Sequence, residues 1–330
     1  MKRALPAGWN LGSGVVAGVD IGGTQCSVNV GTYADGQFEL VSRDQFATRA
    51  HRGPAAILAE IEACLGAALA RRPGAGVIGI SCGGPLDAAA GIVQSPPNLP
   101  GWDGIPITAR LQETFGLRCL LENDANACAV AEWAYGAGRG ATNLVYLTFG
   151  TGLGAGMIID GTVYRGAGDL AGEVGHWRIG PDTGPRHYGK RGSFEGFCSG
   201  SGIVKWYRHF GGPAADDPAL SAELISRRAR AGDEVAVRVF GQAAQQLGRG
   251  LAMLADALAP ELVIVGGIYG YATDLLETGM WAAFTAEGHA QIVNRTKIVA
   301  GRLGREVGSY ASCTVALAGL ATSMATAGGS

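Results

Sequence analysis

Three things are scarce in this sequence, and each scarcity narrows what the chain can do. The first is net charge: 26 Lys and Arg stand against 28 Asp and Glu, and charged residues make up only 16%. A net charge of −2 argues against nucleic acid as the main partner, which would need a basic surface. The second is the long apolar run. None reaches the roughly 18 residues of a membrane span, and Met1 to Gly14 has two basic residues but no apolar stretch of signal-peptide length. Third, the seven cysteines (Cys26, Cys64, Cys82, Cys119, Cys128, Cys198, Cys313) form no C-x-x-C pair. Several fall in apolar patterns and read as buried free thiols. An odd count fits a reducing cytoplasm better than a disulfide framework. The expectation is a cytoplasmic chain with neither nucleic acid nor a membrane as partner.

What is present is apolar mass and glycine. With 47% hydrophobic residues over 330, a sizeable core is available, and the length suits about two domains. The 55 glycines follow no collagen period; they cluster at strand ends, where backbone must pass close to something.

The chain is organised around Leu120 to Ile179. A strand-like run, Leu117 to Leu121, ends in Glu122-Asn123-Asp124, and an alanine-rich helix follows to about Tyr135. A carboxylate at such a junction sits where open α/β sheets place ligands. Asp124 reads either as a general base for a hydroxyl or as a helix cap, and Asn123 shares the second reading. Next come two apolar runs joined by Gly150-Thr151-Gly152-Leu153-Gly154. The second run, Met157-Ile158-Ile159, reads as a strand, whereas a dinucleotide fingerprint needs a helix there. Glu173 and His176 lie three apart, and Glu195 follows in a glycine-bounded segment, a set that suits a polyol. The lone histidine also reads as a hydrogen-bonded structural residue.

The same strand–turn–strand design occurs earlier. Val15 to Ile21 runs into Gly22-Gly23-Thr24, and Gln25 to Val30 returns. Successive N–H groups of such a turn can point into one anion site, with Asp20 at its mouth suited to Mg²⁺-bound water. A plain hairpin turn with a surface Asp is the alternative. Asn98, in the rigid loop Pro96 to Trp102, suits vicinal hydroxyls or an Asx turn. Further on, helices are expected over 54–71, 106–115, 199–207, 221–231, 234–258, 275–287 and 311–322. A buried strand over 260–268 includes Gly266-Gly267.

Taken together these motifs resemble the ROK family of sugar kinases and repressors, within the actin-like ATPase superfamily, over nearly the whole chain. Asp20-Ile21-Gly22-Gly23-Thr24 resembles the family's first phosphate loop, Phe149-Gly150-Thr151-Gly152 the second, and Val265-Gly266-Gly267 its adenosine motif. Asn123-Asp124 resembles the sugar-binding Asn and catalytic Asp; Asn98, Glu173, His176 and Glu195 resemble further sugar contacts. The resemblance implies an α/β fold of two actin-like (ribonuclease H-like) domains closing over the sugar. The smaller would span 1–122 plus a C-terminal helix over about 311–330, and the larger 123–310. It also implies ATP with Mg²⁺ as donor, Asp124 as base for a hexose 6-hydroxyl, and a homodimer. Glucose is the first choice of sugar. N-acetylmannosamine, N-acetylglucosamine, fructose and allose stay open, as does polyphosphate as donor, and a non-catalytic sugar sensor is the reading from another class.

Two positions depart from the family pattern. Relatives hold a structural zinc with the histidine of E-x-x-H and three cysteines; counted from His176, those three positions here are Arg186, Tyr188 and Ser193. No thiolate is supplied, so no zinc is expected. Gln25 stands where a Lys often follows the first loop's Thr. The sugar-responsive repressors carry an N-terminal helix-turn-helix, for which the about 14 residues before the first strand are too few.

Overall fold

The computed structural model describes residues 2–6, 8–187 and 189–327. Its elements, numbered in chain order, divide into two compact units. The first takes the described residues of Met1–Gly140, Val163–Ala171 and Arg305–Ser330; the second takes Ala141–Thr162 and Gly172–Gly304.

In the first unit, β1 (Lys2–Ala4), β2 (Gly14–Ile21), β3 (Gln25–Ala34), β4 (Gln37–Ala47), β5 (Ala75–Cys82) and β8 (Arg118–Asn123) form one sheet in the order β1-β4-β3-β2-β5-β8. A two-strand ribbon, β6 (Leu86–Asp87) and β7 (Ile92–Val93), lies between β5 and β8 in sequence. β2, β5 and β8 run parallel, so their carboxyl ends share one edge. Alternation along β2 sorts two functions onto two faces. Ala17, Val19 and Ile21 enter a core with Ile57, Leu58, Ile61 and Leu65 of α1 (Gly53–Arg71) and Ile107 and Leu111 of α2 (Ile107–Phe115). Gly18 and Asp20 face the other way, toward the C-terminal helix α10 (Val307–Ala327).

Glycine sets how close that helix comes. A Cβ at Gly18 would lie 2.4 Å from Ser312 Oγ, and one at Gly79 of β5 would lie 2.2 Å from the Ser312 carbonyl oxygen. Small residues on α10 thus pack against bare backbone on the sheet. Residues Ala50–Arg71 are long and apolar enough by composition to cross a membrane, yet the apolar side of this stretch is the core just described.

The expected boundary at 122/123 moves to 140/141. Helix α3 (Asp124–Tyr135) belongs with the first unit because Tyr135 stacks on Phe38 of β4, and both rings meet Tyr310 of α10. Arg3 reinforces this by donating to the Tyr135 carbonyl oxygen at 2.8 Å. Asp124, expected in the larger domain, therefore sits in the first unit together with Asp20.

The second unit repeats the plan. β9 (Leu144–Phe149) pairs antiparallel with β10 (Leu153–Ile159), and the sheet order is β11 (Thr162–Val163), β10, β9, β12 (Leu262–Val265), β13 (Lys297–Ala300), with β9, β12 and β13 parallel. A strand does follow the second glycine loop. The helices are α4 (Phe194–Phe197), α5 (Gly200–His209), α6 (Ala222–Arg230), α7 (Glu234–Leu258), α8 (Ile268–Glu287) and the short α9 (Ala290–Val293). Ile268, read from sequence as the end of a strand, begins α8 instead: Gly267 takes φ +57°, a left-handed turn that redirects the chain after β12.

Candidate active site

The first unit gathers Asp20, Gly22, Gly23, Asn98, Asn123 and Asp124 at the carboxyl edge of β2, β5 and β8. Register aligns Asp20 with Ser81 and Ser81 with Glu122; one step on, Ile21, Cys82 and Asn123 form the last row. The turn after β2 is closed by the Gly22 N–H donating to the Gln25 carbonyl oxygen at 3.0 Å, and Thr48 Oγ1 donates to the Gly22 carbonyl oxygen at 2.6 Å. Gln25 thus contributes its backbone to the loop's shape, while Thr24 and Gln25 are exposed. Gly23 lies against the Pro96–Trp102 loop: a Cβ there would be 2.5 Å from Asn98 Cβ.

Asp124 Oδ1 accepts the Ala125 N–H at 2.8 Å, yet the residue at the N-cap position of α3 is Asn123. Its Oδ1 accepts the Ala125 N–H at 2.9 Å and the Asn126 N–H at 3.3 Å, which spends the acceptor and leaves Nδ2 as the donor it can offer. Asp124 is the first helical residue, and its Oδ2 side lies toward Gly83, where a Cβ would be 3.7 Å from it. Below it, the buried Glu122 receives Arg165 Nε at 3.1 Å and Asn126 Nδ2 at 3.1 Å, which anchors the 163–171 segment to this unit.

Asp20 has an unusual setting. Burial first, then the neighbouring Asp124 charge, pushes its pKa up to about 6, against the smaller lowering by the Ser81 hydroxyl and Arg43. It stands at the start of α10, where a Cβ at Gly308 would lie 2.2 Å from Asp20 Oδ2. The first turn of α10 is thus open to the carboxylate because residue 308 has no side chain.

The second unit gathers Gly150, Thr151, Gly152, Gly266 and Gly267. Two helix N-termini meet this loop. The Gly200 N–H at the start of α5 donates to the Gly150 carbonyl oxygen at 2.7 Å, and a Cβ at Gly200 would be 3.6 Å from Ile268 Cδ1 at the start of α8. A Cβ at Gly267 would lie 2.1 Å from the Phe149 carbonyl oxygen, so the α8 turn rests directly on the loop's backbone. No side chain caps the N–H groups of α8. A helix N-terminus without a side-chain cap beside a glycine turn has the chemistry of an anion seat.

Glu173 and His176 flank a short turn, Val174–His176, with Glu173 Oε2 4.0 Å from His176 Nε2 and side chains 56% and 48% exposed. Glu195 differs. It is 3% exposed, its Oε2 accepts the Leu153 N–H at 2.8 Å, and its Oε1 lies 3.1 Å from His187 Nδ1. His187, from sequence only a nearby histidine that with His176 is too little for a zinc site, is the residue found beside Glu195; burial, then Lys205 and His176, pushes its pKa down to about 4. Of the three positions where relatives place zinc cysteines, Arg186 and Ser193 carry no thiol and Tyr188 lies outside the described residues. Among the described residues no group of three or more His, Cys, Asp or Glu could hold a metal ion.

A family model described as the ROK family matches residues 16–305. A glucokinase from Halalkalibacterium halodurans is 31% identical over 305 residues, covering 88% of this chain and 91% of that one. Among solved structures, the ROK hexokinase of Thermus thermophilus superposes with a TM-score of 0.75 at 30% identity, covering 93% of this chain and 99% of the other. A ROK family glucokinase from Streptomyces griseus, in complex with glucose and AMPPNP, gives 0.78 at 29% identity, covering 92% and 99%. The α/β, two-unit actin-like fold expected from the sequence agrees with these neighbours.

Proposed function

This chain belongs to the ROK family, and from that membership we propose that it is a sugar kinase acting on the 6-hydroxyl of a hexose, glucose first, with ATP as donor. The observation that carries the reading is the division of labour at the start of α3. Asn123 supplies the N-cap, while Asp124, whose Oδ1 accepts the Ala125 N–H at 2.8 Å, presents Oδ2 toward Gly83 at the sheet's carboxyl edge. A primary hydroxyl is a poor nucleophile, and a carboxylate within hydrogen-bond reach can take its proton as phosphoryl transfer proceeds. Asn123 Nδ2 suits a sugar oxygen, and Asn98 with the exposed Glu173/His176 pair offers further hydroxyl contacts. Glu195, buried behind Leu153, supports that surface and carries over from the family as a sugar contact.

The residues present fit an anionic nucleotide: the N-terminus of α8, which no side chain caps, and the left-handed Gly267 rest on the backbone of the Gly150 loop. ATP with Mg²⁺ supplies the phosphoryl group and its charge neutralisation. From the family resemblance, Gly22, Gly23 and Thr24 of the first unit and Gly150, Thr151 and Gly152 of the second carry over as phosphate contacts, Gly266 and Gly267 as adenosine contacts, and Asp20 as the holder of the metal's water. No structural zinc is proposed, and elemental analysis finding about one zinc per chain would overturn that. A cytoplasmic location, in keeping with seven free cysteines, and a homodimer extend the family resemblance.

The Asp124→Asn variant tests the assignment. Turnover should fall by about 10²- to 10⁴-fold while glucose binding persists. A wild type and variant that bind glucose and are equally inactive would replace the kinase with a sensor.

A further inference from the structure

The second phosphate loop has a tether that the nucleotide reading does not require, and it runs through His187. Ser201 Oγ donates to the Thr151 carbonyl oxygen at 2.9 Å and pairs with His187 Nε2 at 3.0 Å. On its other side His187 Nδ1 stands 3.1 Å from Glu195 Oε1, and Glu195 Oε2 accepts the Leu153 N–H at 2.8 Å. The loop is therefore held at Thr151 through Ser201 and His187, and separately at Leu153 by Glu195, with Gly152 between.

Each link is fixed by its neighbours. His187 is seated in a tight hairpin, its N–H donating to the Lys190 carbonyl oxygen at 2.7 Å, and its Cβ would be 3.3 Å from a Cβ at Gly196. Ser201 lies in the first turn of α5, whose N-cap Ser199 Oγ accepts the Gly202 N–H at 2.9 Å. Glu195 lies in α4 and is held against the backbone of Gly175, where a Cβ would be 3.3 Å from its own. With the Ser201 proton on the Thr151 carbonyl, the ring's proton sits on Nε2. Burial keeps the ring neutral, so Nδ1 carries no proton and Glu195 stands beside the ring without a hydrogen bond to it.

We propose that His187 is a positioning residue for the nucleotide: through Nε2 it holds Ser201 on the Thr151 carbonyl and so fixes that turn of the loop in its phosphate-binding shape. It lies in the stretch where the family resemblance would place zinc thiolates, and here the hydrogen bond to Ser201 ties that stretch to the loop. The inference rests on the reading of Gly150 to Gly152 as a phosphate loop.

The test is calorimetric titration of AMPPNP, and separately of glucose, into the full-length wild type and into His187→Ala, Ser201→Ala and the double variant. Each single change should weaken AMPPNP about tenfold (~1.4 kcal/mol), the double variant little more, because both cut one chain. Glucose affinity should stay within about twofold. His187→Gln, which keeps a polar group toward Ser201, should recover part of the loss and serves if the alanine variant does not fold. Unchanged AMPPNP affinity, or equal losses for AMPPNP and glucose, overturns the proposal while the kinase reading stands. A wild type that binds no AMPPNP overturns both, so the two failures are distinguishable.

Discussion

Asp20→Asn should inactivate the enzyme and stabilise the fold. A carboxyl whose folded pKa is about 6 instead of the ordinary 3.8 is held more easily as the acid than as the anion. The sign follows from linkage: the unfolded chain releases that proton at lower pH, so ionisation costs stability as pH rises from 3.8 toward 6 and the full cost is present above 6. At 1.36 kcal/mol for each tenfold, the difference between about 6 and 3.8 amounts to ~3 kcal/mol. One opposing contribution is lost with the charge, namely the attraction of the carboxylate to the first turn of α10, ~0.3–1 kcal/mol and up to ~2 in partly buried settings. The net gain at pH 8 is therefore about 1–3 kcal/mol. Urea denaturation of wild type and variant at pH 8, 6 and 4 reads it directly, with the gain shrinking toward zero at pH 4 as wild-type Asp20 takes up its proton. A variant less stable than wild type at pH 8, or a difference that does not change with pH, would refute the reasoning.

Further predictions concern backbone and caps. Gly267→Ala forces a side chain into φ +57° and to 2.1 Å from the Phe149 carbonyl oxygen; it should destabilise by more than ~2 kcal/mol and raise KM for ATP more than KM for sugar, measured by urea denaturation and steady-state kinetics. Asp233 caps α7, accepting the Val235 and Ala236 N–H groups at 3.0 Å each, so Asp233→Ala should cost ~1–2 kcal/mol by denaturation without changing kcat. Gly308→Ala brings a methyl against Asp20 and should lower kcat at saturating sugar and ATP while the melting temperature falls by only a few degrees, about 2–4 °C per kcal/mol for a chain of this size.

Much of the fold was legible because its signals are local. The two hairpins around Gly22-Gly23 and Gly150 to Gly152, and helices such as Glu234–Leu258, follow from apolar periodicity punctuated by glycine. What was not legible depends on contacts far apart in sequence. Helix α3 joins the first unit through Phe38 and Tyr310, rings that no spacing rule pairs with Tyr135. Adjacent Asn123 and Asp124 are equally good caps on paper, and only backbone geometry assigns the task. The same holds for the site: the glycine loops announced themselves, whereas the Asp20–Asp124 coupling and the link from His187 through Ser201 to Thr151 arise from folding alone.

The central claim is that this chain phosphorylates a hexose. It is tested most directly by coupled ADP release from full-length protein with ATP and Mg²⁺ against glucose, fructose, allose, N-acetylglucosamine and N-acetylmannosamine, with polyphosphate as a second donor. Turnover with glucose well above the others is the expected result. Sugar binding without ADP release from ATP, and without phosphorylated product from polyphosphate, would contradict it.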